Sequence, residues 1–298
     1  MRDGRIAFVF AGGGSLGAIQ VGMLLALAKQ GVKADFVVGS SVGAMNAAYY
    51  AADPSVEHVE KLVDIWKKIR REDIFPITFA TLASFVWRRD FLVRHEGVRR
   101  LIRTHLPYQR LEQAKIPVHV VTTDVLTGET VTLSHGSAED AIVATTAIPG
   151  VFPPLRQGER FLSDGAVSSN TPVRIALSKG AMNLVVLPTG YACANRDPPM
   201  GAIANALHAL TLLIARQLTE ELESVPDHIH CSVVPPLCPL SGSPYDFSMT
   251  AAHITRAFDH ATEWIKSGGL NRSDIPDTVR PHRHFEHSEA HRPALDID

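Results

Sequence analysis

The sequence predicts an α/β fold, on three observations. Arg5 to Phe10 is a compact apolar run that meets Gly12, Gly13 and Gly14, followed by a helical pattern from Ala18 to Gln30 that Gly31 ends. The same order recurs at once: Phe36 to Val38 breaks off in Gly39-Ser40-Ser41-Val42-Gly43, before the alanine-rich helical stretch Ala44 to Ala52. Strand and helix patterns then keep alternating to about Val234.

The later elements follow from the same periodicities. Ser55 to Arg71 alternates apolar and charged residues at helical spacing. Residues 75–93 carry Phe75, Phe79, Phe85, Trp87 and Phe91, with Arg88, Arg89 and Arg94 beside them. This segment reads as a lipid-facing lid whose arginines meet anionic head groups, or as an ordinary packed helix with a wet face. Ile116 to Asp124 and Glu129 to Ser134, joined through Leu126-Thr127-Gly128, read as strands around a turn, and Ala138 to Thr146 as a short helix. Pro149, Pro153 and Pro154 then fix an irregular connection. Arg160 to Ser163 leads to Asp164-Gly165-Ala166, Pro172 to Lys179 reads as helix, Leu184 to Leu187 as a buried strand, and Met249 to Lys266 as a late helix. Arg280 to Asp298 mixes histidine, proline and charge without periodicity, so the chain divides into a domain over 1–279 and a disordered, histidine-rich tail over 280–298.

Composition narrows the function. The chain has 298 residues and 45% apolar composition, enough for a substantial core. Lysine and arginine total 29 against 31 acidic residues with no run of like charge, so nucleic acid is not expected as a partner. Cys193, Cys231 and Cys238 show no C-x-x-C spacing, which gives neither a disulfide framework nor a zinc knuckle, and no metal or cofactor is expected. Ile6 to Ala11 is too short for a signal-peptide core, and the run Ala202 to Ala215, broken by Asn205, His208 and Thr211, falls short of a membrane span. These features lead to the expectation of a cytoplasmic protein that touches membranes peripherally without crossing them. Nothing in the sequence sets its oligomeric state.

Gly39-x-Ser41-x-Gly43 carries the sharpest chemistry. Glycines flanking a serine allow the tight strand-to-helix turn that lifts a hydroxyl off the strand end, and the following helix aims its N–H groups at the same point. The plainer reading is a turn in which Ser40 or Ser41 caps the helix. Gly12, Gly14 and Gly17 satisfy G-x-G-x-x-G, a dinucleotide fingerprint, but that motif wants an acid at the end of the second strand. Here Asp35 stands at its beginning. Beside a nucleophile elbow, a glycine loop serves instead as an oxyanion hole, because bare backbone N–H groups can approach the reacting oxygen.

These pieces, with the segment Ala147-Ile148-Pro149-Gly150-Val151-Phe152-Pro153-Pro154 and Asp164-Gly165-Ala166 followed by Asn170-Thr171-Pro172, resemble the patatin-like phospholipase family over roughly Arg5 to Leu187. The resemblance implies a three-layer α/β/α fold with a mainly parallel central sheet, a Ser-Asp dyad without histidine, and calcium-independent hydrolysis of lipid acyl esters. Carried over by position, Ser41 is the nucleophile, Asp164 the base, Gly12, Gly13 and Gly14 the oxyanion loop and Val42 a further donor. Gly17, Gly39, Gly43 and Gly165 support these motifs. Leu16 departs from the basic residue that many members carry, and Ala166 from the second glycine of the usual Asp-Gly-Gly. Fourteen histidines leave a triad open, with His228 or His253 as third member, and a non-catalytic lipid-binding protein on the same fold is the other alternative.

Overall fold

The computed structural model describes residues 3–75, 91–191, 193–194, 200–241, 243–280, 282 and 284. Residues 76–90 of the lid reading over 75–93, and most of the tail reading over 280–298, lie outside these residues. Among the described residues, eight strands form one sheet: β1 (Ile6–Phe10), β2 (Phe36–Ser40), β3 (Val118–Asp124), β4 (Thr130–Leu133), β5 (Leu155–Gln157), β6 (Arg160–Asp164), β7 (Asn183–Leu187) and β8 (His230–Val233). Their order is β5-β6-β3-β2-β1-β7-β8, with β4 paired to β3 off this path. The pairs β1–β2, β1–β7, β2–β3 and β7–β8 are parallel, while β4, β5 and β6 enter antiparallel.

The described helices are α1 (Gly17–Lys29), α2 (Val42–Ala52), α3 (Val56–Lys68), α4 (Arg71–Ile74), α5 (Glu96–His105), α6 (Ala138–Thr145), α7 (Ala166–Ser169), α8 (Val173–Ser178), α9 (Ala202–Glu223) and α10 (Thr250–Lys266). They cover both faces of the sheet. Phe8 and Phe10 of β1 face α1, α2, α3 and α10, whereas the alternate Ala7 and Val9 face Val173 and Ala176 of α8 and Leu218 and Leu222 of α9. Burial on both faces explains why the central strands read as continuous apolar runs. The fold is thus the expected three-layer α/β/α with a mainly parallel sheet.

Helix α1 lies between the sheet and α10, so it is apolar nearly all round. Helix α3 is one-sided: Val59, Leu62, Val63 and Trp66 are buried, and the Ser55 hydroxyl caps its start by accepting from the His58 N–H at 3.3 Å. Two elements go beyond the sequence reading. The proline-rich connection delivers a short edge strand, β5, because Pro153 and Pro154 precede its first residue and take no ladder bond. Helix α5 buries Val98 and Ile102, and its Arg99 and Arg103 pair with Glu139 at the start of α6. Among the described residues, no helix is long and apolar enough to cross a membrane. The apolar run from Ala202 is the first part of the 22-residue α9.

Candidate active site

Strands β1 and β2 run parallel and end side by side, Phe10 opposite Gly39, so the glycine loop and the serine turn open at one sheet edge. Strand β7 returns on the other flank of β1, which makes β1 the point where the strand order reverses. The crevice outside such a point is where open α/β sheets take ligands.

Ser41 joins β2 to α2 with φ 53° and ψ −132°, and among the described residues it is the one non-glycine with positive φ. A side chain in this region is strained and persists only where its surroundings hold it. Two contacts do so. Its N–H donates to Thr145 Oγ1 at 2.8 Å, and the Thr145 hydroxyl in turn donates to the Val121 carbonyl on β3. Gly43, two residues on, packs so close to β1 that a Cβ would lie 2.4 Å from the Ala11 carbonyl oxygen.

The Ser41 hydroxyl donates to Asp164 Oδ2 at 2.8 Å. Asp164 ends β6, pairs with Thr122 of β3 and is 3% exposed. Its other oxygen, Oδ1, accepts the Ala166 N–H at 2.8 Å. Burial pushes its carboxyl up to about 7, against the smaller opposing effect of the Ala166 N–H and the Ser41 hydroxyl. Ala166 opens α7 without positive φ, so the alanine in place of glycine fits its backbone. Leu16 is buried in the apolar core, and no charge stands at that position.

The glycine loop is held from three sides, and the sequence expectation for it needs one correction. Gly12 does not offer a free N–H, because it donates to the Asn170 carbonyl at 3.0 Å, while its own carbonyl accepts Thr189 Oγ1 at 2.8 Å. Ser15 N–H is taken by the Pro244 carbonyl at 2.7 Å and Leu16 N–H by Gly13 at 3.1 Å. Among the described residues, the N–H groups of Gly13, Gly14 and Val42 meet no acceptor. Gly14 has φ 58°, and a Cβ there would strike the Pro244 carbonyl at 2.3 Å, so this turn admits only glycine. Gly17 starts α1 and closes the turn with its N–H on Gly14 and Ser15. Gly39 lies in β2, and Gly165 leads from Asp164 into α7.

Ser41 stands between two spaces. One is a cavity of about 100 Å³ lined almost wholly by apolar groups, among them Val42, Met45, Trp66, Phe75, Phe152 and Phe247. The other is a smaller opening bounded by Gly13, Gly14, Asp164, Asn170, Thr189 and Tyr245. His228 and His253 line neither space, and among the described residues no histidine ring bonds to Ser41 or Asp164. His253 is buried on α10, where burial lowers its pKa.

Several residues that shape this site escaped the sequence reading. Thr145, Thr189 and the buried set Gln20, Asn46 and Trp66 are scattered along the chain and belong to no short motif. Gln20 Nε2 donates to the carbonyls of Ala11 (2.7 Å) and Leu187 (2.8 Å), at the ends of β1 and β7. Asn46 Nδ2 donates to Gly17 O and to Gln20 Oε1, both at 3.0 Å, and Asn46 Oδ1 accepts Trp66 Nε1–H at 2.9 Å. A lone polar residue among apolar neighbours, such as Gln20 in α1, is the one signal the sequence offers.

The family described as Patatin-like phospholipase matches residues 8–177. Human patatin-like phospholipase domain-containing protein 6 is 28% identical over 190 residues, 62% of this chain and 13% of that protein. An uncharacterised NTE family protein of Mycobacterium tuberculosis (strain CDC 1551 / Oshkosh) is 27% identical over 169 residues, 57% of this chain and 44% of that protein. The chain therefore matches well under two thirds of these relatives' length. Among solved structures, VipD from Legionella pneumophila aligns with a TM-score of 0.46 at 15% identity, over 89% of this chain and 67% of that one. Human GIVD cytosolic phospholipase A2, in complex with methyl gamma-linolenyl fluorophosphonate, aligns at 0.40 and 12%, over 91% and 59%. With the family matched over more than half of its length, this chain belongs to the patatin-like phospholipase family.

Proposed function

We propose that the protein is a serine acyl hydrolase acting on carboxylic esters of lipids, with Ser41 as nucleophile and Asp164 as its general base. The observation that carries this reading is the 2.8 Å hydrogen bond from a strained serine to a buried carboxylate, at the mouth of an apolar cavity that can take part of an acyl chain.

In the first step Ser41 Oγ attacks the ester carbonyl while its proton passes to Asp164 Oδ2. The carbonyl π electrons move onto oxygen, and the N–H groups of Gly13, Gly14 and Val42 receive that oxyanion. Collapse expels the alcohol portion, which takes the proton from Asp164, and leaves the acyl group on Ser41. Water then attacks the acyl-serine as Asp164 accepts its proton, and breakdown returns the fatty acid and Ser41. A carboxylate is a weak base for an alcohol, and the burial that raises Asp164 to about 7 narrows that gap. The two oxygens of Asp164 already hold Ser41 and Ala166, which supports a dyad without histidine.

Contact with a lipid surface belongs to the same proposal. Val167 and Ile214 border the opening, and Val167, Leu212 and Leu213 are exposed on α7 and α9. An apolar rim around a lipid site allows substrate to enter from an interface without full hydration.

The test is a panel of p-nitrophenyl esters, lysophospholipids and phospholipids, run with wild type and Ser41→Ala, alongside labelling by a fluorophosphonate. Turnover and labelling at Ser41 are expected in wild type and neither in the variant. Undiminished hydrolysis by Ser41→Ala, or folded wild type that neither labels nor turns over any ester, would overturn the proposal.

A further inference from the structure

Away from the crevice, the fold gathers four metal-binding side chains from three separate segments. Cys193 lies in the loop after β7, Cys238 in the stretch after β8, and His282 and His284 follow the short turn Asp277–Val279 near the end of the described chain. Their ligand atoms all fall within 4.8 Å of one another. Cys238 Sγ is 3.1 Å from His282 Nε2 and 2.9 Å from His284 Nε2, and the two Nε2 atoms are 3.2 Å apart. We propose that Cys193, Cys238, His282 and His284 form a tetrahedral site for a zinc ion, which ties the C-terminal segment to the two loops that support the glycine turn.

The geometry suits zinc. With ordinary zinc–sulfur and zinc–nitrogen bonds, a Cys2His2 tetrahedron has edges of about 3.3 Å between nitrogens and about 3.6 Å between nitrogen and sulfur. The nitrogen–nitrogen edge of 3.2 Å is close to this value, while the nitrogen–sulfur edges of 3.1 and 2.9 Å are shorter by about half an ångström or a little more, a difference that rotation of the side chains removes as the cation enters. The donor set is neutral once assembled, because two thiolates balance the divalent charge. Binding therefore expels two thiol protons and leaves no uncompensated charge in a partly buried place. Four protein ligands also fill the tetrahedron, leaving no position for a reacting water, so the site is structural.

The surroundings orient these ligands as metal sites require. His282 Nδ1 lies 2.8 Å from the Arg280 carbonyl, which can only accept, so the proton sits on Nδ1 and Nε2 presents its lone pair to the cluster. The Tyr191 hydroxyl, 2.9 Å from the same Nδ1 and 3.0 Å from the Arg280 carbonyl, packs beside this bond and steadies the ring. The Leu240 N–H donates to Cys193 Sγ at 3.4 Å, a contact that favours the thiolate. Without a cation, a lone pair of His282 would face a second imidazole nitrogen and a sulfur at close range.

The three tied segments matter to the crevice. The loop after β7 also carries Thr189, whose hydroxyl holds the Gly12 carbonyl at 2.8 Å. The stretch after β8 continues to Pro244, whose carbonyl holds the Ser15 N–H at 2.7 Å. Zinc would fix both anchors to the C-terminal segment and so limit how far the glycine turn can drift. The sequence expectation of no zinc site rests on the absence of close C-x-x-C pairs. Here the sulfurs are far apart along the chain, and the one local trace is His282-x-His284.

The experiment uses the full chain, purified without an oligohistidine tag and measured for metal by plasma mass spectrometry before and after zinc addition. About one zinc per chain is expected in wild type and in Cys231→Ala, whose thiol lies in β8 outside the cluster. Cys193→Ser, Cys238→Ser and His284→Gln should each lose it. His284 is exposed, so that variant tests the site without disturbing the core. Cobalt in place of zinc should give a sulfur-to-metal charge-transfer band that disappears in Cys193→Ser. Less than a tenth of an equivalent in reconstituted wild type, retention of one zinc by the Cys193→Ser/Cys238→Ser double variant, or a Cys193–Cys238 disulfide in unreduced protein would each overturn the proposal. Metal content is read independently of hydrolysis, so this result and that of the ester panel fail separately.

Discussion

Ser41 and Asp164 differ in how their positions are secured. Ser41 is placed by its turn, and Thr145 holds that turn through a bond to the Ser41 N–H. Thr145→Val should leave this buried N–H unpaired, at a cost of about 1–3 kcal/mol, and lower kcat more than it raises KM. Equal kcat in wild type and variant would show that the strained serine needs no such brace. Asp164 is placed by the sheet and set by burial. Its carboxyl titrates near 3.8 in an unfolded chain and at about 7 here. Between those values the unfolded state loses a proton that the folded state keeps, so stability falls as pH rises from about 4 to about 7, and the deficit is complete above 7. Asp164→Asn carries no such charge. It should therefore be inactive yet more stable than wild type at pH 8, by up to ~4 kcal/mol, with the gap closing toward pH 4 in denaturant titrations. The same group makes kcat/KM rise with pH through a midpoint near 7, since only the carboxylate accepts a proton. A flat profile from about pH 5 to about pH 9 would remove Asp164 from the base role. In the sequence, Ser41 was legible from its flanking glycines together with their place between a strand pattern and a helix pattern. Asp164 was legible only through the family pattern, because Asp-Gly is also an ordinary turn.

At the scale of elements, α9 does for the Asp164 side what Thr145 does for Ser41. Gln217 accepts the Asn170 N–H at 2.8 Å and donates to the Ser168 carbonyl at 3.0 Å. One turn further on, the buried Glu221 accepts the Ser169 hydroxyl at 2.8 Å and the Val173 N–H at 2.9 Å, capping α8 from another helix. The segment so held supplies the Asn170 carbonyl that fixes Gly12. Gln217→Ala should thus reduce turnover on soluble esters although it touches no reacting atom. Gln217→Glu, which keeps the acceptor for Asn170 N–H, should recover part of the loss; identical rates in all three proteins would count against the tether. On the outer side of the same helix, Leu213→Asp should lower activity on phospholipid vesicles several-fold and leave a soluble p-nitrophenyl ester unaffected, if α9 meets the lipid surface. The helix period of α3 was legible in the sequence because one of its faces meets water, whereas that of the equally one-sided α5 was not read. The edge strand β5 was not legible, because three residues after two prolines give no alternation to read.

For the whole molecule, the order of strands brings the ends of β1, β2 and β7 together, and a buried polar network fastens the turns beyond them. Gln20 joins the ends of β1 and β7, Asn46 joins Gln20 to the start of α1, and Trp66 reaches in from α3. Alternating strand and helix patterns made the α/β class and the shared sheet edge legible, since parallel strands must all point their loops the same way. They could not reveal this network, whose members become neighbours only after three elements pack. Each polar atom in it is paired, the condition under which a buried network rigidifies a fold. Asn46→Leu keeps a similar size but strips partners from Trp66 Nε1, Gln20 Oε1 and the Gly17 carbonyl at once. With about 1–3 kcal/mol for a buried group left unpaired, and some relaxation shared among three, a loss of about 3 kcal/mol is expected in urea unfolding. Because Gly17 closes the glycine turn and Trp66 lines the apolar cavity beside Ser41, the proposed function predicts that the variant also loses activity on long-chain esters more than on acetate esters. A stability change under about 0.5 kcal/mol with unaltered chain-length preference would mean that packing of the three layers alone holds the crevice in shape.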